Sequence, residues 1–144
     1  MQEERKHYKI GYTQGVYDLF HVGHLNLINH AKMYCDVLIV GVNTDSLVET
    51  YKGKSPVIPE EERRLIVENL KAVDHAVLVS TLDKEEILKK YPFEAVFIGS
   101  DWKGNERWNK TEEALRPYGV DVVYLPYTEG VSTTMLQKKM LPDN

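Results

Sequence analysis

A chain of 144 residues, 42% hydrophobic and 28% charged, has the make-up of one ordinary globular domain, long enough to bury a real core. A formal net charge of −4 and a pI near 5.7 exclude the basic footprint of a nucleic-acid binder, and no apolar run approaches the roughly 18 residues of a membrane span. One cysteine, Cys35, excludes an internal disulfide and a Cys-built metal site; with no signal peptide at its start, the chain reads as cytoplasmic.

After a polar lead-in over 1–7, Tyr8 to Gln14 reads as a strand and Gly23 to about Tyr34 as a helix. Val37 to Val42 is a continuous apolar run of strand length, the pattern of a strand buried on both faces in a parallel sheet. A turn or short helix over Asn43 to Val48 leads into Tyr51 to Pro59, a Gly/Pro-containing loop that carries Lys52 and Lys54. Pro59 followed by three glutamates starts a helix that runs to about Val73. Ala76 to Val79 is a strand, Asp83 to Tyr91 a helix, and Ala95 to Gly99 a further buried strand, followed by the loop Ser100 to Gly104. Asn109 to Tyr118 is a helix with Gly119 at its C-terminal cap, and Val120 to Leu125 is the last strand. Pro126 to Thr134 is a polar turn ahead of a C-terminal helix over about Met135 to Met140.

Strands and helices thus alternate along one domain spanning 1–144, which predicts an α/β fold with a Rossmann-like doubly wound parallel sheet. Ligands of such sheets bind beyond the carboxyl ends of the strands, at the switch point. The loops there are Gly15 to His24, Asn43 to Pro59, Gly99 to Gly104 and Pro126 to Thr134, and together they hold all of the unusual chemistry in the sequence.

In the first loop His21 and His24 stand three apart at a strand-to-helix junction, where the unpaired amides of a helix start favour an anion. A metal pair or plain local hydrogen bonding are the competing readings, and the metal is disfavoured because no second Cys/His cluster completes a ligand set. Of Arg63 and Arg64, at least one is expected to face outward, where a surface ion pair is the simplest outcome. Ser132-Thr133-Thr134 reads as a helix N-cap, with Gly130 permitting close backbone approach. Cys35 reads as a small buried hydrophobe.

The stretch Gly15-Val16-Tyr17-Asp18-Leu19-Phe20-His21-Val22-Gly23-His24 resembles the HxGH signature of the nucleotidyltransferase superfamily. Thr128-Glu129-Gly130-Val131-Ser132-Thr133-Thr134 is similar to the second signature of its cytidylyltransferase branch, R-T-E-G-I-S-T-T. Glu62-Arg63-Arg64-Leu65, Val73-Asp74 and Gly99-Ser100-Asp101-Trp102 also match, so the resemblance spans nearly the whole chain and is greatest to the small bacterial glycerol-3-phosphate cytidylyltransferases. It implies transfer of CMP from CTP to a phosphorylated alcohol, giving a CDP-alcohol of the kind used in teichoic acid, capsule or phospholipid synthesis, and pyrophosphate. By that resemblance His21, His24, Lys52 (with Lys54 in reserve) and Arg63 are catalytic. The nucleotide is held by Gly15, Val16, Tyr17, Asp18, Gly23, Asp101, Tyr127, Thr128, Gly130, Ser132 and Thr133. Asp18 organises its loop rather than acting as a base, and Asp101 faces the cytosine or the metal. Mg²⁺ travels with CTP without a dedicated protein site, and the enzyme is a homodimer with no nucleic-acid or membrane partner.

Two positions depart from the pattern. Val16 replaces a threonine, and Tyr127 replaces the arginine that opens the second signature, removing a hydroxyl and a cation from beside the substrates. The acceptor therefore stays open among glycerol phosphates, phosphocholine, phosphoethanolamine and related compounds. An adenylyltransferase using ATP on a sugar phosphate or cofactor precursor is the first alternative, and a non-catalytic nucleotide-binding domain the second.

Overall fold

The structure is a computed structural model that describes residues 6–126. Five strands form one parallel sheet: β1 (Tyr8–Gly15), β2 (Cys35–Asn43), β3 (His75–Val79), β4 (Ala95–Gly99) and β5 (Asp121–Leu125), in the order β3-β2-β1-β4-β5. The expected doubly wound parallel sheet is what forms. Its order reverses between β1 and β4, so the crevice beyond the carboxyl ends of those two strands is the switch point. The expected C-terminal turn and helix lie outside the described residues.

Side chains of β2 alternate between two cores, as strand geometry requires. Leu38, Val40 and Val42 pack with Ile28, Ala31, Val67 and Phe97 on the face covered by α1 (Val22–Lys32) and α3 (Glu60–Glu68). Ile39 packs with Tyr12, Ile87, Phe93, Trp108 and Leu115 on the face covered by α4 (Lys84–Lys90) and α5 (Glu106–Leu115). Cys35 is buried, as expected. At Gly41 a Cβ would fall 2.1 Å from the Tyr12 hydroxyl, so the missing side chain is what lets that hydroxyl pass across the sheet to donate to Gln14 Oε1 at 2.8 Å.

Several boundaries differ from the expected ones, each for a local reason. α2 (Asp45–Lys52) is a true helix, capped by Thr44 Oγ1 accepting from the Leu47 amide and closed by Gly53 at φ 76, so Tyr51 and Lys52 are helical rather than part of a loop. α3 stops at Glu68 instead of continuing to Val73, because the Asn69 side chain donates to the Leu65 carbonyl and ends the ladder. α5 begins three residues before the expected Asn109: Asn105 Oδ1 accepts from the Arg107 and Trp108 amides. It ends at Leu115, where a 3₁₀ turn over Arg116–Tyr118 takes over, closed by Gly119 at φ 72.

Candidate functional site

The loop from β1 into α1 turns sharply. Tyr17 and Leu19 both hold positive φ, 55 and 50, conformations that are costly for side-chain-bearing residues and held here by packing. Tyr17 drops its ring into the core under Gly15, where a Cβ would sit only 3.0 Å from that ring. This plunge sets His21 at the N-cap of α1 and His24 in its first turn.

The two histidines then cap the helix reciprocally. His21 Nδ1 accepts from the Gly23 amide at 3.0 Å, and His24 Nδ1 accepts from the His21 amide at 3.2 Å. Their rings stack with centroids 4.0 Å apart, and the edge of Tyr17 and the ring of Phe20 close around His24 at 5.6 and 5.2 Å. Each Nδ1 is an acceptor, so each neutral ring carries its proton on Nε2. Desolvation pushes both pKa values below the usual histidine range, His24 down to about 4 with the neighbouring His21 adding to the shift and Asp18 opposing it. At neutral pH the pair presents uncharged imidazoles that can donate from Nε2.

Arg63, expected among the catalytic residues, is fully buried. Its guanidinium donates to the carbonyls of Ile58 (2.8 Å), Val16 (2.8 Å) and Asn43 (2.7 Å), and to Asp45 Oδ1 at 2.5 Å. One side chain thus ties together the loop after β1, the end of β2, the start of α2 and the approach to α3. Asp45 and Glu60 complete this junction: the Asp45 amide donates to Glu60 Oε1 at 2.8 Å, and the Glu60 amide to Asp45 Oδ2 at 3.4 Å. Arg64 is the outward arginine, in surface pairs with Glu61 and Glu68.

Asp18 receives the amides of Val57 (2.8 Å) and Ile58 (2.9 Å), fastening the lysine-bearing loop over the histidine loop. A cavity of about 530 Å³ opens between the two, lined among others by Gly15, Val16, Tyr17, Asp18, His24, Lys52 and Lys54. A second cavity of about 430 Å³ lies alongside it and shares Gln14, Gly15, Val16 and Lys52. Lys52, at the end of α2, therefore stands on the wall common to both. His21 and Gly23 belong to the helix start and line neither cavity; Asp101 is exposed on the 3₁₀ turn Ser100–Trp102 and also lines neither. Tyr127, Thr128, Gly130, Ser132 and Thr133 fall outside the described residues.

Sequence reasoning missed the residues that build the second cavity: Gln14, Asn43, Tyr51, Lys84, Trp102, Arg107 and Trp108. A relay of side chains forms its floor. Gln14 Nε2 donates to Asn43 Oδ1 (2.8 Å) and the Thr81 carbonyl (3.0 Å), and Asn43 Nδ2 donates to the Tyr51 hydroxyl (3.0 Å). The signal available in sequence was position alone: Gln14 and Asn43 close strands, Lys84, Arg107 and Trp108 lie in the first turns of helices, and Tyr51 and Trp102 end short helical segments. Among the described residues no three His, Cys, Asp or Glu side chains gather as a metal cage, and no helix is long and apolar enough to cross a membrane.

A family model described as Cytidylyltransferase-like matches residues 12–139. The chain is 35% identical over 129 residues to a glycerol-3-phosphate cytidylyltransferase of Bacillus spizizenii, covering 89% of this chain and 94% of that protein. It is also 35% identical over 133 residues to the bifunctional protein HldE of Caulobacter vibrioides, covering 92% of this chain but only 27% of that larger protein. Among solved structures, the lipopolysaccharide core biosynthesis protein of Thermoplasma volcanium GSS1 superposes with a TM-score of 0.69 at 26% identity, over 84% of this chain and 97% of that one. A pantoate-beta-alanine ligase of Francisella tularensis shares the fold, with a TM-score of 0.63 at 14% identity over 93% of this chain and 66% of that one.

Proposed function

Because the chain belongs to the cytidylyltransferase-like family and is a nucleotidyltransferase, we propose that it transfers CMP from CTP to a phosphorylated alcohol, releasing pyrophosphate. The observation that carries the reading is the stacked histidine pair at the start of α1, set beside a cavity that Lys52 also lines. Chemistry of this kind asks for charge stabilisation and alignment rather than a covalent intermediate. In this reading the acceptor's phosphate oxygen attacks the α-phosphorus in line; the new P–O bond forms as the α–β bond breaks, and the electron pair leaves on pyrophosphate. His21 and His24 donate from Nε2 to the phosphates, and Lys52, between the two cavities, faces both the triphosphate and the incoming phosphate. Ser132 and Thr133 take the outer phosphate oxygens, Tyr127, Thr128 and Gly130 also serve the nucleotide, and Asp101 serves the base. Arg63 acts by position, holding Val16 and the start of α2 where these donors need them. Mg²⁺ arrives with the triphosphate as part of the substrate and neutralises phosphate charge there. The working form is a homodimer.

Pyrophosphate release measured with CTP and with ATP, across a panel of phosphorylated alcohols, tests the reading. Release with CTP and an acceptor is expected; release with ATP alone would replace it by the adenylyl reading, and none with either would sink it. His24→Ala is expected to lower turnover by about 100-fold or more, the scale of losing a preorganised donor. A near-normal rate in that variant would remove His24 from the mechanism.

A further inference from the structure

The polar relay on the floor of the second cavity has a direction, and one main-chain group sets it. A backbone carbonyl can only accept, so the Gln14 atom 3.0 Å from the Thr81 carbonyl is Nε2. Gln14 Oε1 then faces the Tyr12 hydroxyl, which donates to it at 2.8 Å. The other N–H of Gln14 reaches Asn43 at 2.8 Å and must meet an acceptor there, Oδ1. Asn43 is thereby left with Nδ2 against the Tyr51 hydroxyl at 3.0 Å, and in that contact Tyr51 is the acceptor. Its own proton turns away from Asn43, and no hydrogen bond to a described residue takes it. Tyr51 stands in the last turn of α2, half-exposed, on the lining of the second cavity. Acceptors are scarce there. The described lining holds Lys52, Lys84 and Arg107 and no carboxylate. Gln14 Oε1 and Asn43 Oδ1 are spent within the relay, and the Val16 and Asn43 carbonyls accept from Arg63.

We infer that Tyr51 is a substrate-binding residue, its hydroxyl held by the relay as a donor to an anionic oxygen lodged in the second cavity. This rests on the transferase reading for the source of that oxygen, a substrate phosphate, and deepens it with a neutral donor that lies outside both signature stretches. The relay does two things for that donor. It commits to donation a hydroxyl that could otherwise donate or accept. It also polarises the phenol, because the Asn43 N–H draws on the same oxygen that must release its proton toward the ligand. The simpler reading is a half-exposed tyrosine that does no more than satisfy Asn43, which is itself only 4% exposed. Both readings lose stability when the hydroxyl is removed, since a buried N–H then loses its acceptor, so ligand affinity is what separates them.

The molecule supplies its own reporter, because its two tryptophans, Trp102 and Trp108, both line this cavity. Tryptophan fluorescence of the full chain is titrated with inorganic phosphate in wild type, in Tyr51→Phe, and in protein carrying 3,5-difluorotyrosine at position 51. Tyr51→Phe keeps the ring and is expected to weaken phosphate binding about tenfold, the scale of one hydrogen bond to a charged group. Two ring fluorines make a phenol a stronger acid and a stronger donor. The fluorinated protein should therefore bind phosphate at least as tightly as wild type at low pH, and lose affinity at a lower pH than wild type does. Lys84, whose pKa burial pushes down to about 8, and phosphate itself titrate in both proteins, so the separation between the two profiles belongs to position 51. No response to phosphate in wild type, unchanged affinity in Tyr51→Phe, or coincident pH profiles would each overturn the inference. Pyrophosphate release from CTP or ATP keeps the two readings apart. Phosphate binding that depends on Tyr51, without release from either nucleotide, refutes the transferase and leaves the donor standing. Release together with unchanged phosphate affinity in Tyr51→Phe refutes the donor and leaves the transferase.

Discussion

Arg63 shows how far a single side chain can govern a site without facing it. Its four hydrogen bonds reach four separate segments at once, and three of the acceptors are backbone carbonyls that would lose their partner if it were removed. Arg63→Met is therefore expected to cost about 3 kcal/mol or more of stability, read by chemical denaturation, and Arg63→Lys to rescue little because an ammonium cannot span the same fork. A loss under about 1 kcal/mol would show the junction to be held by other means. His24 makes a second residue-scale prediction. Its folded pKa of about 4 lies below the ordinary histidine value of 6.5, so between those values the unfolded chain binds more protons than the folded one. Its contribution is complete above pH 6.5 and is lost as pH falls toward 4. Denaturation of wild type and His24→Gln across that window should show a smaller acid loss in the variant; parallel curves would refute the shift. Arg63 was legible in the sequence as a motif residue, yet its burial was not, because its partners are carbonyls whose positions only the folded loops define.

At the scale of elements, the histidine helix and the lysine loop are coupled through Asp18, whose carboxylate accepts two amides from the facing loop. Asparagine keeps one acceptor oxygen and loses the charge, so Asp18→Asn should loosen the loop that carries Lys54 and bears on Lys52. The expected outcome is a KM for nucleotide raised by about tenfold with the fold intact, and an unchanged KM would place the loop outside the site. The elements themselves were largely readable. The run Val37 to Val42 announced a buried strand, and β2 is one. The misplacements fall where a capping side chain outweighs the apolar pattern, as Asn105 does for α5 and Asn69 for α3. Tyr17 and Leu19 gave no warning of positive φ, since that conformation is imposed by the burial of the Tyr17 ring rather than by any residue preference.

Across the whole molecule, the strand order brings three of the four expected loops to one crevice, so the first cavity and its histidine, lysine and aspartate were visible as a site from the sequence. The second cavity was hidden because Lys84 and Trp108 read as ordinary members of amphipathic helices, and only packing against the sheet turns them toward a common space. Two cavities that meet at Lys52 give the folded chain a means of sensing nucleotide as a unit. A ligand that binds only the folded state stabilises it by about 2.7 kcal/mol at a hundredfold excess over its Kd. For a chain of this length that is a rise in Tm on the order of 10 °C. MgCTP is expected to give a shift of that size in differential scanning calorimetry, MgATP a markedly smaller one, and Lys52→Ala to lose most of the CTP shift while its unliganded Tm stays within a few degrees of wild type, as suits an exposed side chain at a helix end. Equal shifts with both nucleotides would move base selection out of this chain's reach. A full CTP shift in Lys52→Ala would take the lysine off the wall where the triphosphate and the acceptor are expected to meet.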